Sequence, residues 1–132
     1  MKRIFLLIVL ALLLSVRRHA FAQSGPSPAD CSKFRTGTFT FTLESGQTIK
    51  MVRTATAQKE YYDDGSIDLK VNWVSDCQYN LNILNIPDIT KKELIGKVLK
   101  VTITRVEGNA YYYSASMDGY DLVVNNKVTK IK

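Results

Sequence analysis

From Gly37 onward apolar and polar residues alternate with the two-residue period of half-buried strands, not the wider period of helices. Phe39, Phe41 and Leu43 alternate with Thr38, Thr40 and Thr42, and Glu44-Ser45-Gly46 turns this first strand. Ile49, Met51, Arg53 and Ala55 share one face of a second strand, and Tyr61 is expected inward on a short third. Asp63-Asp64-Gly65 is a hairpin signal. The fourth strand alternates most cleanly, with Ile67, Leu69, Val71 and Trp73 against Asp68, Lys70 and Asn72. A fifth puts Cys77, Tyr79, Leu81 and Ile83 inward, and a phase shift at Leu84 predicts a bulge. Pro87 stops this strand, Asp88 caps a short helix through Leu94, and Gly96 ends it. Leu99, Val101, Ile103 and Arg105 form one face of a sixth strand, and Tyr111, Tyr113, Ala115 and Met117 one face of a seventh. The eighth, Tyr120 to Ile131, alternates poorly around Asn125-Asn126, a stretch with room for a turn.

Eight successive strands joined by hairpin-length turns predict an all-β, antiparallel up-and-down meander. Closure into a barrel removes the exposed edges that an open sheet would leave. In such a meander the start of the first strand and the turn between the fourth and fifth lie at one end, which is where Cys31 and Cys77 fall. The short helix between the fifth and sixth strands lies at the other end, as a cover.

The residues before the strands have a different character. Lys2 and Arg3 precede an apolar run from Ile4 to Val16, and Ala20-Phe21-Ala22 follows with the small-x-small pattern of a signal-peptidase site. Residues 1–22 are therefore read as a signal peptide, 23–32 as a polar, mobile linker and 33–132 as the β-barrel domain. The apolar run is too short to span a bilayer, so no membrane span is expected after cleavage, and the product is expected in the periplasm or secreted. Asp30 before Cys31 is unlike a lipidation site. Removing the leader takes four of the 18 basic residues, Lys2, Arg3, Arg17 and Arg18, and none of the 12 acidic ones, so net charge falls from +6 to +2. That balance gives little support for a nucleic-acid partner. The leader also carries the only histidine, His19, so no histidine-based triad or metal site is expected in the mature chain. Two cysteines in an oxidising compartment read as one disulfide, Cys31–Cys77.

At this point the chain resembles a small lipocalin-like, or calycin, barrel. Gly37-Thr38-Phe39 stands where that family carries Gly-x-Trp on its first strand, with Phe in place of Trp. Cys31-x-x-Phe34-x-x-Gly37-x-Phe39 followed by Trp73-x-x-Asp76-Cys77-x-Tyr79 also resembles a group of small exported bacterial proteins. The resemblance implies a barrel and an expectation of apolar-ligand binding; it implies no catalytic residues.

Candidate chemistry is concentrated in two arginines that parity places inward, Arg53 and Arg105. On one reading they receive the carboxylate of an amphipathic ligand, with Tyr79, Tyr111 and Tyr113 assisting, as the resemblance to fatty-acid-binding calycins implies. On another, Arg105 stacks on Trp73 and the role is structural, with Phe39 and Trp73 packing the closed end; on a third, these strand ends are simply exposed. Asp63 and Asp64 are adjacent on a turn and diverge, and no phosphate loop, nucleophile elbow or metal-ligand spacing occurs. The expected function is therefore non-catalytic binding of a small apolar or amphipathic ligand, without cofactor or metal. The alternative is a barrel filled by its own side chains that acts through its surface on a protein or envelope component.

Overall fold

A computed structural model of the protein describes residues 25–121 and 123–132; the expected signal peptide lies outside the described residues. The elements are α1 (Pro28–Ser32), β1 (Gly37–Thr42), β2 (Thr48–Arg53), β3 (Ala57–Tyr62), β4 (Gly65–Ser75), β5 (Gln78–Asn85), a 3-10 helix (Ile89–Leu94), β6 (Val98–Glu107), β7 (Ala110–Met117) and β8 (Val123–Lys130). Each strand pairs antiparallel with the next, and β8 returns to β1, closing the barrel. The expected meander is thus the observed one.

Alternation along the strands builds the core. Phe39, Ile49, Met51, Leu69, Val71, Leu81, Val101, Ile103 and Val128 are all buried. Burying this apolar surface is the main force holding the closed sheet together. One end of the barrel is sealed by Phe34, also fully buried, on the segment that leads from α1 into β1. Cys31 and Cys77 are joined in a disulfide that ties α1 to the β4–β5 turn. The 3-10 helix covers part of the opposite end, which is the mouth.

Several expectations are corrected by the structure. Residues 28–32, expected within an extended linker, form a helical turn because Ser27 and Asp30 make a reciprocal capping box with Pro28 in the first turn. Asn125-Asn126 holds no turn; β8 runs unbroken through it. Ala55 lies beyond the end of β2 and is exposed. Tyr61, expected inward, points outward and Tyr62 inward, because Gln58 and Glu60 rather than apolar residues occupy the inner face of β3. Arg105 also points outward. Ile103 pairs with Tyr113 and Arg105 with Tyr112, so Thr104 is an extra residue in a bulge that turns Arg105 to solvent and brings Val106 inward. The bulge expected at Leu84 is present: Leu69 pairs with Ile83 and Asp68 with Asn85.

Gly37 is where β1 starts, and no other residue fits there. Its φ is +138°, and a β-carbon would sit 2.6 Å from the Lys132 carbonyl oxygen. That close approach lets the Thr38 N–H donate to the Lys132 carbonyl at 2.9 Å and the Ile131 N–H donate to the Thr38 carbonyl at 2.8 Å, extending the β1–β8 seam.

Candidate functional site

The interior is not filled. A cavity of about 220 Å³ lies within the barrel, with Met51, Arg53, Tyr79 and Tyr111 among its walls. A second, of about 530 Å³, lies towards the mouth, with Asp64, Ile67, Ile83, Ile86 and Leu94 among its walls. Leu43, Glu60, Tyr62 and Leu99 line both, so the two adjoin.

Arg53 forms the floor. It is the last residue of β2, on the inner face by strict alternation with Ile49 and Met51, and only 2 % exposed. A buried guanidinium must have its donors satisfied. Its Nε donates to Gln58 Oε1 at 2.8 Å, Nη1 to the Phe34 carbonyl at 2.8 Å, and Nη2 to the hydroxyls of Tyr79 and Tyr111 at 3.1 and 2.9 Å. The rings of Phe39, Trp73, Tyr79 and Tyr111 surround it at centroid distances of 4.6 to 6.0 Å, within cation–π range. Burial alone opposes its charge, but Tyr79 and Tyr111 outweigh that effect, so its pKa is raised and the group stays protonated.

The compensating charge is one step removed. Gln58 Nε2 donates to Glu60 Oε2 at 2.8 Å, and the Tyr62 hydroxyl donates to Glu60 Oε1 at 2.9 Å. Gln58, Glu60 and Tyr62 alternate along β3, so one strand carries the polar line from the floor towards the mouth. Burial pushes the Glu60 carboxyl above its ordinary 4.5, against the bonds from Gln58 and Tyr62 and the charge of Arg53. Burial likewise raises Tyr79 and Tyr62, and pushes Tyr113 up to about 12. These tyrosines are neutral hydroxyls at physiological pH. Tyr79 and Tyr111 lie 3.0 Å apart, oxygen to oxygen, so one donates to the other. The second hydroxyl proton of the pair has no acceptor among the described residues and is available in the cavity.

Of the residues expected to form the site, Arg53, Tyr79, Tyr111 and Tyr113 are brought together here, and Arg105 is not. Arg105 stacks on Tyr112 at 4.0 Å and pairs with Glu107 at 3.3 Å on the outer surface. The arginine nearest Trp73 is Arg35, at 4.9 Å, with Arg53 farther off at 6.0 Å, and Trp73 also packs on Tyr79 at 4.6 Å. Sequence reasoning missed Gln58, Glu60 and Tyr62. The signal for them was the same period-two alternation, read with the polar face inward. Among the described residues no three His, Cys, Asp or Glu side chains converge as they would on a metal ion.

No family model, no curated protein and no solved structure matches the chain. The closed eight-stranded antiparallel barrel is itself consistent with a lipocalin-like fold.

Proposed function

We propose that the protein is an exported, non-catalytic binding module that holds a small apolar or amphipathic molecule inside the barrel. The observation that carries this reading is the largely apolar cavity at the mouth, which adjoins the smaller one above Arg53. A space of this size, with apolar walls and a few convergent polar groups, suits a ligand of modest length. Export is supported by the Cys31–Cys77 disulfide and by the leader-like pattern of residues 1–22. The test is native mass spectrometry of the purified protein with organic extraction of what it carries, alongside titration with an environment-sensitive apolar dye. Co-purifying lipid or saturable dye binding supports the reading. A bare mass with no dye binding overturns it.

A second reading is favoured by a separate observation. Leu84, Ile89, Ile95, Tyr120 and Val123 are exposed, and all belong to the mouth end. A rim of this kind supports contact with another protein or an envelope surface. Retained self-association or partner binding after Ile89→Asp and Ile95→Asp would count against it.

A further inference from the structure

We infer that the molecule held in the cavity is an amphipathic cation, an amine or ammonium group on an apolar chain, with Glu60 as its counter-charge. This rests on the binding-module reading and specifies its ligand.

The first ground is how the buried Arg53 and the half-buried Glu60 are used. Arg53 spends its donors inside the protein: Gln58, the Phe34 carbonyl and two tyrosine hydroxyls take four of its five N–H groups. Its faces are screened by aromatic rings. Glu60 is the less committed of the two. It accepts one bond at each oxygen, from Gln58 and Tyr62, and a carboxylate has about four lone-pair sites. It also lines both cavities, where a ligand entering from the mouth would pass before reaching the floor. Tyr62 and Tyr113 line the inner cavity with it, and aromatic rings are suitable neighbours for a cation.

The second ground is the charge of the mouth. The turns at that end, residues 44–47, 63–64, 86–97 and 118–121, hold seven acidic residues against three lysines. Asp118 is offset by Lys100 at 2.9 Å, and Lys91 by Asp88 at 4.0 Å. Within the outer cavity Glu60, Asp64 and Asp88 face the single Lys91. A cleft lined by one sign of charge attracts the opposite sign and repels its own. An anionic amphiphile would have to pass this rim and then share a low-dielectric interior with Glu60.

Three ligands of equal chain length decide the matter: dodecylammonium, dodecanol and dodecanoate, each below its micellar concentration, titrated into wild-type protein at pH 7 by calorimetry or dye displacement. The expected order of affinity is ammonium, then alcohol, then carboxylate. Glu60→Gln is expected to weaken the ammonium about tenfold or more while leaving the alcohol within about threefold. Dodecanoate binding as tightly as the ammonium overturns the inference, as does an ammonium affinity indifferent to Glu60→Gln. If that variant does not fold, the wild-type order alone decides. Binding of alcohol and carboxylate without the ammonium overturns the inference and leaves the binding module standing; no binding of any of the three overturns both.

Discussion

The side chain of Arg53 donates to the backbone carbonyl of Phe34, 2.8 Å away, across a span of 19 residues. This one bond couples the floor of the cavity to the segment that seals the barrel. Phe34 lies three residues after Cys31, so the disulfide that anchors α1 also holds the acceptor that Arg53 uses.

Breaking the disulfide is expected to lower stability by up to roughly 4 kcal/mol, the chain-entropy figure for a loop of this length. Cys31→Ser with Cys77→Ser should reduce the Tm markedly while far-ultraviolet circular dichroism retains its β spectrum. An unchanged Tm would show that the α1 segment holds its place without the tether.

Arg53→Met should cost about 3–5 kcal/mol, because it leaves the Phe34 carbonyl and Gln58 without their buried donor and Glu60 without its neighbouring cation. It should also alter Trp73 emission, since the guanidinium lies 6.0 Å from the indole ring. Arg105→Met should change stability by no more than about 0.5 kcal/mol and leave the emission as it was, its side chain being 58 % exposed. Denaturant unfolding of the two variants side by side checks the inward and outward assignments together.

Gly37→Ala is expected to destabilise by about 1–3 kcal/mol, from backbone strain at φ +138° and from the Lys132 carbonyl in the way. Gly46→Ala, also at positive φ but with open space around it, should cost less. Equal effects would mean that the close approach at the seam contributes nothing.

Glu60 gives stability a pH dependence of unusual sign for a carboxylate. Its pKa in the fold lies above 4.5, so between 4.5 and that raised value the folded protein binds more protons than the unfolded chain. Stability attributable to this group therefore falls as pH rises through the window and is level on either side. Glu60→Gln should lose that slope, which thermal unfolding of both proteins across a pH series will show. A slope unaffected by the substitution would assign it to other groups.

Much of the barrel was legible because β4 and β5 obey a strict alternation with apolar residues inward. The site was legible only in part, for two physical reasons. β3 carries its chemistry on the inner face, so Gln58 and Glu60 invert the usual pattern and make Tyr61 look like the buried residue. Parity in β6 holds until Thr104, where one extra residue reverses it; nothing in the residue types around Arg105 marks the bulge. The helical turn before β1 did carry a signal, Ser27-Pro28 with Asp30, but it reads as linker composition unless the capping geometry is considered. Places where local pattern and fold disagree are often where function is carried, and β3 is the strand that joins Arg53 to the mouth.

The seam between β1 and β8 has a consequence for how the chain reaches this state. Every other strand pair joins neighbours in sequence, whereas Phe39 pairs with Lys130 and Thr40 with Thr129. Until those distant residues arrive, β1 presents an unpaired edge and the half-built sheet can be extended by any other strand at hand. Closure is thus the longest-range step of folding and the slowest to find by chance. Molecules caught before it, and not the finished barrel, are the ones exposed to edge-to-edge aggregation.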